Sequence, residues 1–331
     1  PNGPTRDATT ELRTSAEEIR KEINAHGVSV VRVQRDSTGT WAVVANDALN
    51  RRYTGATEMD ISGPLAGSPL LVTKYSANGT VARGTLNNCG NGFTPWGTYL
   101  TCEENWPGYF VNTGTQTDEQ LRIGVDDSDT RYGWDDLAGD ADEQNDEFAR
   151  FDVTPSGASA DQDYRNEANG HGYIVEIDPY TANSRAVKRT ALGRFRHEGC
   201  VPGKLEAGKP VVFYSGHDAR GEYIYKFVST ALWDPADANP TNRLSTGAKY
   251  MDQGTLYVAR FNADGSGQWL PLNTANPALL KFTSQDQVIV NTIEAADLVG
   301  GTPMDRPEWG AVDPLTGSVY FTLTNNSSRS E

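Results

Sequence analysis

Three cysteines and four histidines are few for a chain of 331 residues. Three thiols close at most one disulfide and leave one over, so no disulfide framework holds this fold together. Long apolar runs are missing too. None approaches the ~18–20 residues that cross a bilayer as a helix. Positive charge is scarce: 29 Lys and Arg stand against 44 Asp and Glu, a formal net charge of −15. That balance argues against a nucleic-acid partner. It would also repel an anionic substrate, unless bound cations reverse the field locally. No GxSxG, HExxH, P-loop or GxGxxG occurs, and Asn262–Trp269, NADGSGQW, resembles an EF-hand loop only superficially. The signatures of serine hydrolases, zinc proteases and nucleotide-binding folds are thereby absent.

What is present is glycine (33), proline (17), tyrosine (14) and tryptophan (7), the composition of many short strands joined by turns. The length suits one large domain or two medium ones, and the mean hydropathy of −0.57 is low but globular. One helix is signalled near the start, where Ser15-Ala-Glu-Glu18 fits a capping box, Ile19 and Ile23 share a face, and Gly27 can end the turn. A second is expected around 284–298, between Ser284 and Gly300-Gly301. Elsewhere β patterning dominates. Residues 28–35 and 40–45 flank a turn at DSTG, residues 69–76 and 80–86 flank Asn78-Gly79, and Asp264-Gly265 separates a further pair. The runs at 172–179, 210–215, 222–228 and 318–324 continue the series. Repeated strand–turn–strand units leave sandwich, barrel and propeller open. No clean repeat of ~40–50 residues decides for propeller blades.

Residues 111–168 show little periodicity and read as a long acidic insertion. Within them, residues 118–167 carry 16 Asp and Glu against 4 Arg, leaving about −3 for the rest of the chain. Such a segment is either a solvated loop or a supply of hard oxygen ligands for calcium.

Four polar clusters stand out: Asn87-Asn88-Cys89 with Cys102-Glu103-Glu104; Arg194 to Cys200, with His197 and Glu198; His217 to Glu222, with Asp218 and Arg220; and Asp305-Arg306-Pro307-Glu308. Singly, each has a plain structural reading as a turn, a rim ion pair or a strand start. Together their chemistry converges. Carboxylates beside Cys102 disfavour a free thiolate, and a metal cation resolves this because a coordinating thiol is deprotonated. Thiolate with carboxylates suits iron or zinc better than magnesium. Arg306 could grip an oxyanion in bidentate fashion while Glu308 holds metal.

The stretch LNNCGNGFTPWGTYLTCEENW, residues 86–106, resembles the signature of the PhoX-type alkaline phosphatases. AHGVSVVRV, NRRYTG, EIDP, ALGRFRHEG, YIYKFVS, GTLYVARFNADGSGQWLPL, RPEW and VYFTLTNN resemble further blocks in the same order, covering most of residues 25–328. The resemblance implies an all-β fold: a β-propeller-like core with a few helices, forming a single domain over residues 1–331 that carries the acidic insertion. It implies a monomeric, exported bacterial phosphatase, periplasmic or secreted, with an iron–calcium cofactor: two Fe3+ and several Ca2+ joined by an oxo group. On that pattern Cys102 is the iron-ligating thiolate, Glu198 and Glu308 are iron-ligating or bridging carboxylates, and Arg306 is the phosphate clamp. Asn88 is the candidate second phosphate contact. Glu103, Glu104, Asp218 and Glu222 are candidates for calcium or supporting roles.

The family's export leader, usually of twin-arginine type, is expected ahead of this sequence, and further strands and calcium ligands beyond it. Cys200 stands where the family more often shows a small residue; Cys89 and Cys200 could pair in an oxidising compartment, leaving Cys102 for metal, and the sequence leaves that pairing open. The implied reaction is hydrolysis of phosphate monoesters by in-line attack. Metal ions would neutralise the phosphate and supply the nucleophilic oxygen. Two other readings remain open: a calcium-dependent propeller lactonase or esterase needing no iron, and a calcium-stabilised binding propeller with no catalysis.

Overall fold

The computed structural model describes residues 4–329. The first helix is Ala16–Ala25. Ser15 Oγ accepts from the Glu18 amide at 3.4 Å, and Glu17 and Glu18 sit in the first turn, where negative charge is favoured. Ile19 and Ile23, four apart, are buried against the core, each worth ~1.5–3 kcal/mol. Gly27 has φ +92°, and a Cβ there would lie 2.0 Å from Tyr53 O, so glycine alone fits this close approach. The chain then enters Val28–Val30, which pairs with Arg51–Tyr53. Val33–Arg35 and Trp41–Val43 form the hairpin expected around DSTG.

Two larger sheets follow. The first has six strands in the order Val81–Arg83, Glu58–Ser62, Val187–Arg189, Ile174–Ile177, Tyr99–Glu103, Asn88–Phe93. Its neighbours are antiparallel except Glu58–Ser62 and Val187–Arg189, which run parallel. The second is antiparallel throughout, in the order Val201–Pro202, Pro210–Gly216, Ile224–Leu232, Gly254–Phe261, Gly267–Pro271. A ribbon joins Arg220–Glu222 to Met304–Asp305, and a last hairpin pairs Pro307–Val312 with Val319–Leu323. One continuous apolar core, including Trp96, Trp106, Phe195 and Phe213, connects both sheets.

The fold is thus mostly β, and no closed propeller forms among the described residues. A six-stranded mixed sheet differs from a four-stranded antiparallel blade. Two expectations need correction, and one helix was not anticipated. Asn78-Gly79 does form a turn, with Gly79 at φ +66°, but residues 69–71 before it are 3-10 helix, and Val81–Arg83 pairs with Glu58–Ser62 instead. The helix over 284–298 is two, Gln285–Val290 and Thr292–Val299, parted by Asn291. Helix Arg243–Met251, capped by the Asn242 side chain, carried no recognised signal.

Residues 111–168 are not a loose solvated loop. Val125, Trp134, Phe148, Phe151 and Val153 anchor them in the core. Helix Asp118–Ile123 carries a full capping box between Thr117 and Gln120. Several acids of this segment meet partners: Glu147 with Arg20, Asp146 with Lys74, Glu167 with Arg150, and Asp163 with Arg165.

Candidate metal and anion site

The site is built where the edge strand Asn88–Phe93 meets the segment Arg196–Cys200. Asn88 pairs with Glu103, but the next pairing is Asn91 with Thr101, so an extra residue is accommodated at Cys89-Gly90. Bulges of this kind re-aim a side chain and recur beside active sites. The glycines allow the two backbones to touch. A Cβ at Gly90 would lie 1.7 Å from Glu198 O, and one at Gly92 would lie 1.8 Å from Cys200 O. Gly216 does the same for the last hairpin, with Pro307 O and Glu308 O each 2.6 Å from its would-be Cβ.

The result is a convergence of ligand-type atoms. Cys89 Sγ lies 3.3 Å from Glu198 Oε1, and Cys89, Glu104 and Glu198 each place one such atom within 4.8 Å of the others. Beside them Arg306 Nε and Nη2 donate to the two Asp218 carboxylate oxygens at 2.8 Å each. Arg306 Nη2 is also 3.9 Å from Glu308 Oε1. Arg306 holds φ +51°, an uncommon left-handed conformation of the sort that costs ~1–3 kcal/mol and clusters at ligand clamps.

The electrostatics call for a cation. Burial, then Glu198 and Asp218, push the Glu104 carboxyl up to about 7. Burial also raises Glu198, while burial with Glu198 and Glu104 pushes the Cys89 thiol up to about 12. All three therefore lean toward their protonated forms, and a metal ion would reverse each of them. The donor set, one thiol with several carboxylates, fits a metal of borderline softness.

Of the residues singled out in the sequence, Glu104, Glu198, Asp218, Glu308 and Arg306 come together. Cys102 does not join them. It lies on Tyr99–Glu103, is fully buried in the apolar core, and has its thiol raised well above the usual range, chiefly by that burial. The thiol facing the carboxylates belongs to Cys89. The Cys89–Cys200 pairing that the sequence left open does not form here. All three cysteines are free, and Cys200 sits in the core beside Leu192 and Phe213. Glu103 turns inward. Its Oε1 meets Lys188 Nζ at 2.7 Å, and its Oε2 accepts from the Gly172 and Tyr173 amides. Glu222 is engaged by Arg122 at 2.6 Å and faces His217 Nδ1 at 3.2 Å. Asn88 donates one amide hydrogen to Thr85 Oγ1 at 2.8 Å, and its buried Oδ1 has no partner among the described residues. The signal for Cys89 was in the sequence: Cys89-Gly90-Asn91-Gly92 places glycines inside a strand, a mark of a bulge and of close backbone approach.

Residues 4–331 match the family described as "Alkaline phosphatase PhoX". No curated protein sequence matches the chain. Among solved structures, Pseudomonas fluorescens PhoX in complex with vanadate, a transition state analogue, is similar with a TM-score of 0.82 and 41% identity. The match covers 96% of this chain and 53% of that one, so the chain spans about half the length of its structural relative. The chain belongs to the PhoX alkaline phosphatase family.

Proposed function

We propose that the protein is a metal-dependent alkaline phosphatase that hydrolyses phosphate monoesters. The observation carrying this reading is the convergence of Cys89, Glu104 and Glu198 beside Arg306 and Asp218. Cys89, Glu104 and Glu198 would hold iron, with Glu308 available to calcium, while both Asp218 oxygens are engaged by Arg306. That replaces Cys102 as the thiolate ligand while keeping the iron–calcium cofactor with its oxo bridge. Such ions, when bound, neutralise phosphate charge and activate an oxygen nucleophile.

The chain's own residues have separate tasks. Arg306 is a third exposed and lies at the rim, where it would exchange Asp218 for phosphate oxygens and so orient phosphorus for in-line attack. Asp218 holds the guanidinium until substrate arrives. The acidic surroundings exclude anions unless metal is bound, so affinity for phosphate is tied to metal loading. Periplasmic or secreted location, a monomeric state and membership of the two sheets in a propeller belong to the same reading. Among the described residues no helix is long and apolar enough to cross a membrane.

The test is elemental analysis of the purified protein beside hydrolysis of p-nitrophenyl phosphate at alkaline pH, before and after chelation. Iron with calcium, and activity lost on chelation, support the reading. Calcium without iron together with lactone rather than phosphate hydrolysis would replace it.

A further inference from the structure

Of the seven tryptophans, Trp96, Trp106, Trp134 and Trp233 are buried. Trp309 is 42% exposed, although it follows Glu308 directly. Regular alternation would send Glu308 and Trp309 to opposite faces of their strand. The pairing of the last hairpin shifts here: Pro307 faces Leu323 and Gly310 faces Phe321, so three steps on one strand match two on the other. The irregularity re-aims this stretch. The indole lies against the bulged strand, with Cζ3 3.1 Å from where a Gly90 Cβ would be and Cδ2 3.8 Å from that of Gly199. Gly90 and Gly199 follow Cys89 and Glu198 directly, so the ring packs on backbone one residue from two of the converging side chains, at the two places where pairing is irregular. Among the described residues no aromatic ring packs against it.

We propose that Trp309 is a specificity-determining platform that stacks on the planar leaving group of aryl or nucleobase-bearing phosphate esters. The proposal rests on the phosphatase reading for its ligand class. Its physical basis is the π-face of an exposed indole beside an anion site: offset stacking of an aromatic pair contributes enough for roughly 3- to 10-fold in affinity. An alkyl ester has no such partner and gains nothing from the ring.

The experiment is calorimetric titration of the purified protein with phenylphosphonate and with methylphosphonate, which share an anionic head and are not hydrolysed. Wild type is expected to bind phenylphosphonate roughly 3- to 10-fold tighter. Trp309→Ala and Trp309→Leu should bring the two ligands to near parity with little change for methylphosphonate, and Trp309→Phe should keep most of the preference. No preference in wild type, an unchanged preference in Trp309→Ala, or equal weakening of both ligands would overturn the platform. Turnover of p-nitrophenyl phosphate by wild type reads the phosphatase assignment separately. Its absence, with phenylphosphonate discrimination intact, would sink that assignment alone.

Discussion

Replacing Lys188 by Met tests whether Glu103 is a structural carboxylate or a metal ligand. Both side chains are fully buried, with Nζ 2.7 Å from Oε1. Lys188 Nζ also donates to Gly170 O at 2.8 Å. Removing one partner of such a pair strands a buried charge and costs ~3–5 kcal/mol. Glu103 would keep the Gly172 and Tyr173 amides at 2.9 and 3.1 Å, which places the expected loss near the lower end, ~3 kcal/mol at pH 7.

The loss should depend on pH through His171, whose Nδ1 is 3.5 Å from Glu103 Oε1. Burial, then the Lys188 charge, hold His171 down at about 4. A histidine held below its ordinary 6.5 contributes stability above that pH, and the contribution is lost as pH falls toward about 4. Without Lys188 the His171 value rises, and its proton compensates Glu103. The gap between wild type and Lys188→Met should therefore narrow from pH 7 to pH 5. Adding Glu103→Gln removes the stranded charge yet keeps an acceptor for the two amides, so the double variant should recover more than half of the loss. Urea unfolding followed by tryptophan fluorescence reads all of this. A single variant within 1 kcal/mol of wild type, or a double variant no more stable than the single, would refute the reasoning.

Other outcomes follow from the same geometry. Glu103→Gln alone should keep full metal content by elemental analysis, because its carboxylate faces Lys188 rather than the site. Arg306→Ala should lower kcat/KM for p-nitrophenyl phosphate by ~10²–10³, the scale seen when a transition-state charge partner is lost, and should weaken inhibition by vanadate in parallel. Gly90→Ala puts a methyl 1.7 Å from Glu198 O, so it should push the Arg196–Cys200 segment off the edge strand and lose metal. Gly139→Ala, with open space around it, should cost only the strain of its positive φ, ~1 kcal/mol, and keep metal.

Local chemistry was the legible part of the fold. The Ser15 cap, the spacing of Ile19 and Ile23, and the alternating runs that became Pro210–Gly216, Ile224–Leu232 and Gly254–Phe261 all express period and capping within a few residues. Pairing was less legible, because Val81–Arg83 finds Glu58–Ser62 across the Asn78-Gly79 turn through burial that no local signal encodes. Composition also misled for residues 111–168, whose acidity hid the aromatic anchors Trp134, Phe148 and Phe151. In the site, most of the residues that converge carry chemistry in their identity: Glu198, Asp218, Arg306, Glu308. Adjacency pointed to Cys102 because Glu103 and Glu104 follow it. The structure sends Glu103 inward to Lys188 and brings Cys89 to Glu198 instead, through a bulge and a backbone contact across 109 residues of sequence.

Iron content of Cys89→Ala beside Cys102→Ala is the most direct test of the proposed centre. Both variants should be purified alongside wild type and measured by elemental analysis per mole of folded protein. Cys89→Ala should lose iron while Cys102→Ala, a core substitution beneath the site, retains it. Iron kept in Cys89→Ala and lost in Cys102→Ala would contradict the account and return the ligand to the buried thiol.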